Sequence, residues 1–204
     1  MENRNQNGQP EIPPPAVRIA LVTGGNRGIG REIARQLSLA GLTVLIGCRD
    51  EAKGKAAAEQ LGKEGAPVYP EVVDVSSPSS IDALMGRIKE RYGRLDVLVN
   101  NAGIILDRGV PVLEVEDSVV RQTLETNFFG ALRLIQAAVP LMKKHRYGRI
   151  VNVSSGLGTY QAFDVLPDLK GQSGAYRLSK ALLNYLTRLA AQEVDGREIK
   201  INAV

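Results

Sequence analysis

From Arg18 to the end of the chain, short β-branched apolar runs alternate with amphipathic stretches, and no other pattern constrains the fold as much. The runs lie at 17–23, 43–48, 68–75, 95–100, 149–154 and 199–204, and the helix candidates at 28–40, 51–62, 78–91, 116–145 and 174–194. Such alternation requires parallel strands joined by right-handed crossovers, with helices on both faces of one sheet. The 95–100 and 149–154 runs are apolar enough to be buried on both sides, as central strands are. Pro67 and Pro70 cannot donate to a ladder, so the third strand belongs at an edge. Strand order 3-2-1-4-5-6 puts it there, in an α/β doubly wound parallel sheet of the Rossmann-like kind.

The helices carry their own signals. Ile81, Leu84, Met85 and Ile88 follow the i, i+3, i+4, i+7 spacing of one buried face. Val120, Leu124, Phe128, Ala131 and Ile135 do the same in a single long helix over 116–145. Ser77-Pro78 is a hydroxyl cap before a first-turn proline.

A chain of 204 residues with 44% hydrophobic content buries one good core, so 17–204 reads as one domain. Residues 1–16 are polar, rich in Asn and Gln, and close on three prolines. They read as a disordered leader and not as a secretory signal, because no apolar stretch follows a basic start. No apolar run approaches the roughly 20 residues of a membrane span. The net charge of +4 is dispersed and argues against nucleic acid. Its one cluster, Lys143, Lys144, Arg146 and Arg149, sits where a helix ends and favours the dipole there. The lone His145 reads as a surface residue of that cluster. Cys48 is the single cysteine, which excludes an internal disulfide and suits a cytoplasmic setting.

Thr23-Gly24-Gly25-Asn26-Arg27-Gly28-Ile29-Gly30 ends one strand and opens a helix. Glycines let the backbone bend tightly and approach a pyrophosphate, whose charge the helix amides favour. A Walker loop is excluded, since no Gly-Lys-Ser/Thr follows. The end of the second strand selects the dinucleotide. A carboxylate there would hold the ribose 2′-hydroxyl of NAD, but the chain reads Gly47-Cys48-Arg49. Arg27 and Arg49 converging on a 2′-phosphate would make charge-assisted bonds, which favours NADP(H). The competing reading is two solvated surface arginines. Asp74, ending the third strand beside Val75, can accept from an adenine amino group, cap the next helix, or do both.

Tyr176 and Lys180 stand at i and i+4 on one helical face. An ammonium near a phenol favours the phenolate, and such a phenol can exchange a proton with a carbonyl. The spacing alone is a weak signal. Ser154 and Ser155 end the fifth strand, at the carboxyl edge where doubly wound sheets bind ligands. Asn127, on the buried side of the long helix, is either a structural bridge or part of a proton path. Neither a Ser-His-Asp set nor a metal-ligand cluster is present in the sequence.

Taken together, these residues resemble the short-chain dehydrogenase/reductase family, its carbonyl-reductase-like branch in particular. Thr23–Gly30 is similar to the family's glycine turn, Asn100-Asn101-Ala102-Gly103 to its Asn-Asn-Ala-Gly, and Tyr176/Lys180 to its Tyr-x-x-x-Lys. The 148–155 stretch resembles the strand that delivers the catalytic serine, here Ser155. Thr126-Asn127-Phe128-Phe129-Gly130 matches the surroundings of the tetrad asparagine. The resemblance implies Tyr176 as general acid/base, Ser155 as carbonyl orienter, Lys180 as tuner of Tyr176 and holder of the nicotinamide ribose, and Asn127 as the residue positioning a relay water. Gly24, Asn26, Arg27, Gly28, Ile29, Gly30, Arg49, Asp74, Val75, Asn101, Ala102 and Gly103 would hold NADP(H), with Tyr176 and Lys180.

The implied activity is NADPH-dependent reduction of a small or medium apolar aldehyde or ketone. A non-catalytic NADP(H)-binding or interaction protein is the alternative. A methyltransferase is disfavoured by Cys48-Arg49, where a sugar-binding acid would stand. Ser155 and Tyr176 are further apart than is usual in the family, and the extra segment near 161–172 can cover a surface used elsewhere for oligomerisation, which leaves monomer and homo-oligomer both open. In the family, the stretch after Asn202-Ala203-Val204 continues into a Pro-Gly turn, a substrate-covering loop and a seventh strand. The chain therefore reads as incomplete at its C-terminal end, with its last strand missing.

Overall fold

The computed structural model describes residues 18–165 and 171–204. The leader read over 1–16, the first residue of the 17–23 run, and 166–170 within the extra segment lie outside them. Six parallel strands form one sheet in the order β3-β2-β1-β4-β5-β6. They are β1 Ile19–Thr23, β2 Thr43–Cys48, β3 Val68–Val72, β4 Val97–Asn100, β5 Gly148–Asn152 and β6 Ile199–Ala203. The helices are α1 Gly28–Leu39, α2 Glu51–Lys63, α3 Pro78–Tyr92, α4 Asp117–Leu124, α5 Gly130–Lys144, the short α6 Gln161–Val165, and α7 Gly174–Gln192.

Alternating strand residues feed two cores. Ala20, Val22, Val44, Ile46, Val97 and Val99 pack with Ala34 of α1 and Ala57 and Leu61 of α2. Ile19, Leu21, Leu45, Leu98 and Ile150 point the other way, onto Ile81, Leu84 and Ile88 of α3 and Leu134, Ile135 and Met142 of α5. Both sheet faces are therefore dry, which is why the central runs are continuously apolar. Asp96, fully buried just ahead of β4, accepts from Ile19 N at 2.8 Å and from both arms of Arg94 at 2.8 and 2.6 Å.

Local chemistry sets the helix ends. Ser77 caps α3 by accepting from Ser80 N, Pro78 occupies its first turn, and Gly93 closes it in the left-handed region at φ 67°. Asp50 caps α2 by accepting from Lys53 N.

Three sequence expectations change. The third strand ends at Val72 and not at residue 75, because an Asx turn at Asp74, accepting from Ser76 N and Oγ, draws the chain off the sheet. The long helix is interrupted by a π-helical turn, Glu125–Phe129, between α4 and α5. The buried ridge there is Thr123, Asn127, Ala131 and Ile135, while Val120, Leu124 and Phe128 are only half-buried. A wide turn advances the helix face, and Asn127 takes the inward position. His145 is a half-buried residue at the end of α5, its Nε2 3.1 Å from the Gly93 carbonyl oxygen.

Candidate functional site

The carboxyl end of β1 runs into the glycine turn. Gly24 N and Gly25 N donate to Gly47 O at 2.7 and 3.3 Å, which ties the turn to β2. Gly24 and Gly28 sit at φ 63° and 56°, the left-handed region that glycine adopts without strain. A Cβ on Gly30 would fall 2.3 Å from Asn101 Nδ2 and 2.6 Å from Gly24 O, so the first turn of α1 packs directly on the end of β4. Asn101 Nδ2 donates to Thr23 O at 2.8 Å and Gly24 O at 3.2 Å. Thr23 Oγ1 accepts from Asn101 N and Ala102 N, both at 3.0 Å, and donates to Val99 O at 3.2 Å. One buried threonine thus joins the glycine turn to the Asn-Asn-Ala-Gly segment.

These two segments, with the ends of β2 and β3, enclose a cavity of about 790 Å³. Twelve residues proposed from sequence line it: Gly24, Asn26, Arg27, Gly28, Ile29, Gly30, Arg49, Asp74, Val75, Asn101, Ala102 and Gly103. Gly47, Cys48, Asp50, Lys53, Val73, Ile104 and Thr126 line it too and were not proposed as binding residues. The signal that could have found the first four is their position at the end of β2 and the start of α2, where a doubly wound sheet places its ligand. The structure fits a dinucleotide. Helix α1 opens on this space with no side-chain cap and no acid in its first turn, so its amides meet the cavity unopposed. Nothing lies within 4 Å of a Cβ built on Gly28, so backbone there borders open space.

The charges around the cavity are sorted. Arg27 and Arg49 are exposed on its rim. Burial pushes the Asp74 carboxyl up, but the Ser76 hydrogen bonds and the Arg49 charge outweigh it and leave the group below its ordinary value. Asp74 does not cap α3, since Ser77 does. Asp50 is held below the ordinary carboxylate value by the Lys53 amide and ammonium, the latter 3.0 Å from Oδ2. Burial pushes the Cys48 thiol up, which keeps it protonated.

Behind Gly103 lies a second cluster, whose residues Asn127, Ser155, Tyr176 and Lys180 do not line this cavity. A Cβ on Gly103 would lie 3.4 Å from Asn127 Oδ1 and 3.7 Å from Lys180 Nζ, so this backbone separates the nucleotide wall from both side chains. Asn127 is buried in the π turn. It accepts from Ile104 N at 2.8 Å and donates to Ile104 O at 2.8 Å and Ser179 Oγ at 3.0 Å. Ser179 Oγ donates to Tyr176 O at 2.7 Å, so Asn127 is tied to the turn of α7 that carries the tyrosine. Ser179 was missed because a helical serine between two motif residues carries no distinguishing pattern.

Tyr176 and Lys180 occupy successive turns of α7, with Nζ 5.6 Å from the phenol ring centroid. Lys180 is 5% exposed and donates to Val153 O at 2.7 Å. Loss of water lowers its ammonium from 10.5 to about 8. Ser155 follows β5 and caps a 3-10 turn, Gly156–Gly158, its Oγ accepting from Leu157 N at 3.2 Å. A Cβ on Gly158 would fall 2.7 Å from the Lys180 carbonyl carbon, so the serine's turn packs on α7. Among the described residues, no group of three His, Cys, Asp or Glu could hold a metal, and no helix is long and apolar enough to cross a membrane.

A doubly wound sheet with a glycine-turn cavity, a buried lysine and a tyrosine one turn away is the architecture of the short-chain dehydrogenase class. The family model described as short chain dehydrogenase matches residues 18–204, and the chain belongs to that family. It is 45% identical over 141 residues to carbonyl reductase (NADPH) 3 of Rattus norvegicus, covering 68% of this chain and 49% of the relative. It is 34% identical over 187 residues to 3-oxoacyl-acyl-carrier-protein reductase of Escherichia coli (strain K12), covering 92% and 71%. The crystal structure of a metagenomic short-chain oxidoreductase in complex with NADP superposes with a TM-score of 0.81 at 30% identity, over 91% of this chain and 80% of that one. The chain thus spans from about half to about seven-tenths of the length of these curated relatives.

Proposed function

We propose that the protein, with NADPH, reduces a small or medium apolar aldehyde or ketone to the alcohol, reversibly. The observation that carries the reading is Gly103, which lines the nucleotide cavity and packs against Asn127 and a desolvated Lys180, with Tyr176 beside that lysine. The cofactor supplies the hydride. Tyr176 hands its phenolic proton to the carbonyl oxygen, and Lys180 favours the phenolate left behind. Asn127, anchored to Ile104, holds the water that resupplies the proton, and Ser155 orients the carbonyl. Arg27 and Arg49 hold the 2′-phosphate that distinguishes NADP(H) from NAD(H), and Asp74 faces the adenine. The name of the rat relative and the NADP bound in the metagenomic one support the cofactor choice. The single thiol, Cys48, suits a cytoplasmic setting.

The test is a titration with NADPH and NADH followed by nicotinamide fluorescence, then a panel of carbonyl substrates. Tighter NADPH binding that Arg27→Ala and Arg49→Ala each weaken by about tenfold supports the assignment, one charge-assisted contact contributing about 1.5 kcal/mol. Equal affinity for both nucleotides overturns the 2′-phosphate reading. Carbonyl reduction that survives Tyr176→Phe overturns the catalytic one. Nucleotide binding with no reduction of any carbonyl would favour a non-catalytic NADP(H)-binding protein.

A further inference from the structure

Helix α7 presents Tyr176 in its first turn, and that turn has no cap of its own. The N-cap residue, Ser173, stands in the left-handed region at φ 59° and makes no side-chain cap bond. First turns fray when their amides are unsatisfied, and a side chain in such a turn is placed only as well as the turn itself. The missing cap comes from 68 residues away. Asp107, 1% exposed, accepts from Ala175 N through Oδ2 at 2.7 Å. Its other oxygen has no hydrogen-bond partner among the described residues. Desolvating a carboxyl group costs free energy, and the bond to the Ala175 amide is what offsets that cost here.

The segment bearing Asp107 is braced against the same turn. Ser173 N donates to Val110 O at 3.1 Å, Val112 N donates to Gly171 O at 3.0 Å, and Pro111 bridges to Gln172. A Cβ on Gly174 would fall 2.5 Å from Val112 Cγ2, so the helix start lies directly on this segment. The same segment begins at the cavity wall, where Ile104 is clamped by Asn127.

We propose that Asp107 is a positioning residue, capping α7 from the loop after β4 so that Tyr176 is held in register with the nucleotide cavity. This rests on Tyr176 as the proton donor. Misplacing a reacting group by about 1 Å costs on the order of a hundredfold in rate, so the cap acts on kcat and not on cofactor affinity.

The test compares Asp107→Ala with Asp107→Asn, which keeps an oxygen facing Ala175 N. Asp107→Ala is expected to lower kcat at least about tenfold with the NADPH Kd within about twofold, and Asp107→Asn to restore most of the loss. Unchanged kcat in Asp107→Ala, or equal losses in both variants, overturns the proposal. Fluorotyrosine labelling gives a readout that needs no turnover. The ¹⁹F resonance assigned by Tyr176→Phe should shift or broaden in Asp107→Ala while the other five of the six tyrosines stay in place. An unmoved Tyr176 resonance refutes the idea even if the wild-type protein reduces no carbonyl, and a moved one in that case faults only the assigned reaction. Should Asp107→Ala fail to fold, hydrogen exchange of the wild-type protein decides. An Ala175 amide protected like the middle of α7 supports the cap, and one that exchanges as a frayed end refutes it.

Discussion

Replacing Lys180 with methionine tests whether an ammonium is held out of water beside Tyr176. In the folded protein the group titrates at about 8 instead of 10.5, and burial is the cause. Below pH 8 both folded and unfolded chains carry the proton, so the full cost of burying charge is present, about 3 kcal/mol for a displacement of this size. Between 8 and 10.5 the unfolded chain binds a proton that the folded one does not, so stability rises with pH. Above 10.5 neither form is charged and the cost vanishes. Methionine fills similar volume without a titrating group. It also leaves Val153 O without its 2.7 Å donor, a loss of about 1 kcal/mol that does not depend on pH. Urea unfolding of both proteins between about pH 7 and about pH 10 should therefore show the wild type gaining about 2–3 kcal/mol relative to Lys180→Met. Other titrating groups cancel in that difference. A difference that is flat across the range, or that falls as pH rises, would refute the desolvated-lysine argument.

Other perturbations follow from the same geometry. Gly30→Ala puts a methyl 2.3 Å from Asn101 Nδ2, and the strain should cost about 1–3 kcal/mol by thermal or urea unfolding and weaken NADPH at least about tenfold. Native affinity in that variant would mean the turn can relax. Arg94→Ala removes both guanidinium bonds from the fully buried Asp96 carboxylate and leaves it the Ile19 amide, and unfolding should register a loss of about 3 kcal/mol. Asn127→Ala removes both bonds to Ile104, so the amide exchange of Ile104 should accelerate, and proton-transfer-limited turnover should fall more than NADPH affinity.

Much of this protein is written in short-range pattern. Apolar runs with a period of two or of continuous burial, helical faces such as Ile81, Leu84, Met85 and Ile88, and the Ser77-Pro78 start all act within a few residues. The sequence by itself therefore determined the strand order, the edge place of the proline-bearing strand, and the glycine turn with twelve of the residues that line its cavity. Those features depend on steric rules of local backbone and on the alternation that forces parallel crossovers.

What only the tertiary structure decided depends on partners remote in the chain. Asn127 was legible as a buried residue, but the π turn that carries it, and its partner Ile104 23 residues away, were not, and Phe128, expected on the same buried face, is only half-buried. Lys180 loses its water and meets Val153, 27 residues away, only once α7 lies on β5. Asp107, which no pattern marked, caps α7 across 68 residues. Local sequence carries the periodicity that makes an element, whereas desolvation, capping from a distance and the pairing of buried polar groups exist only after the elements have packed, when water has gone and each group has a single partner in reach.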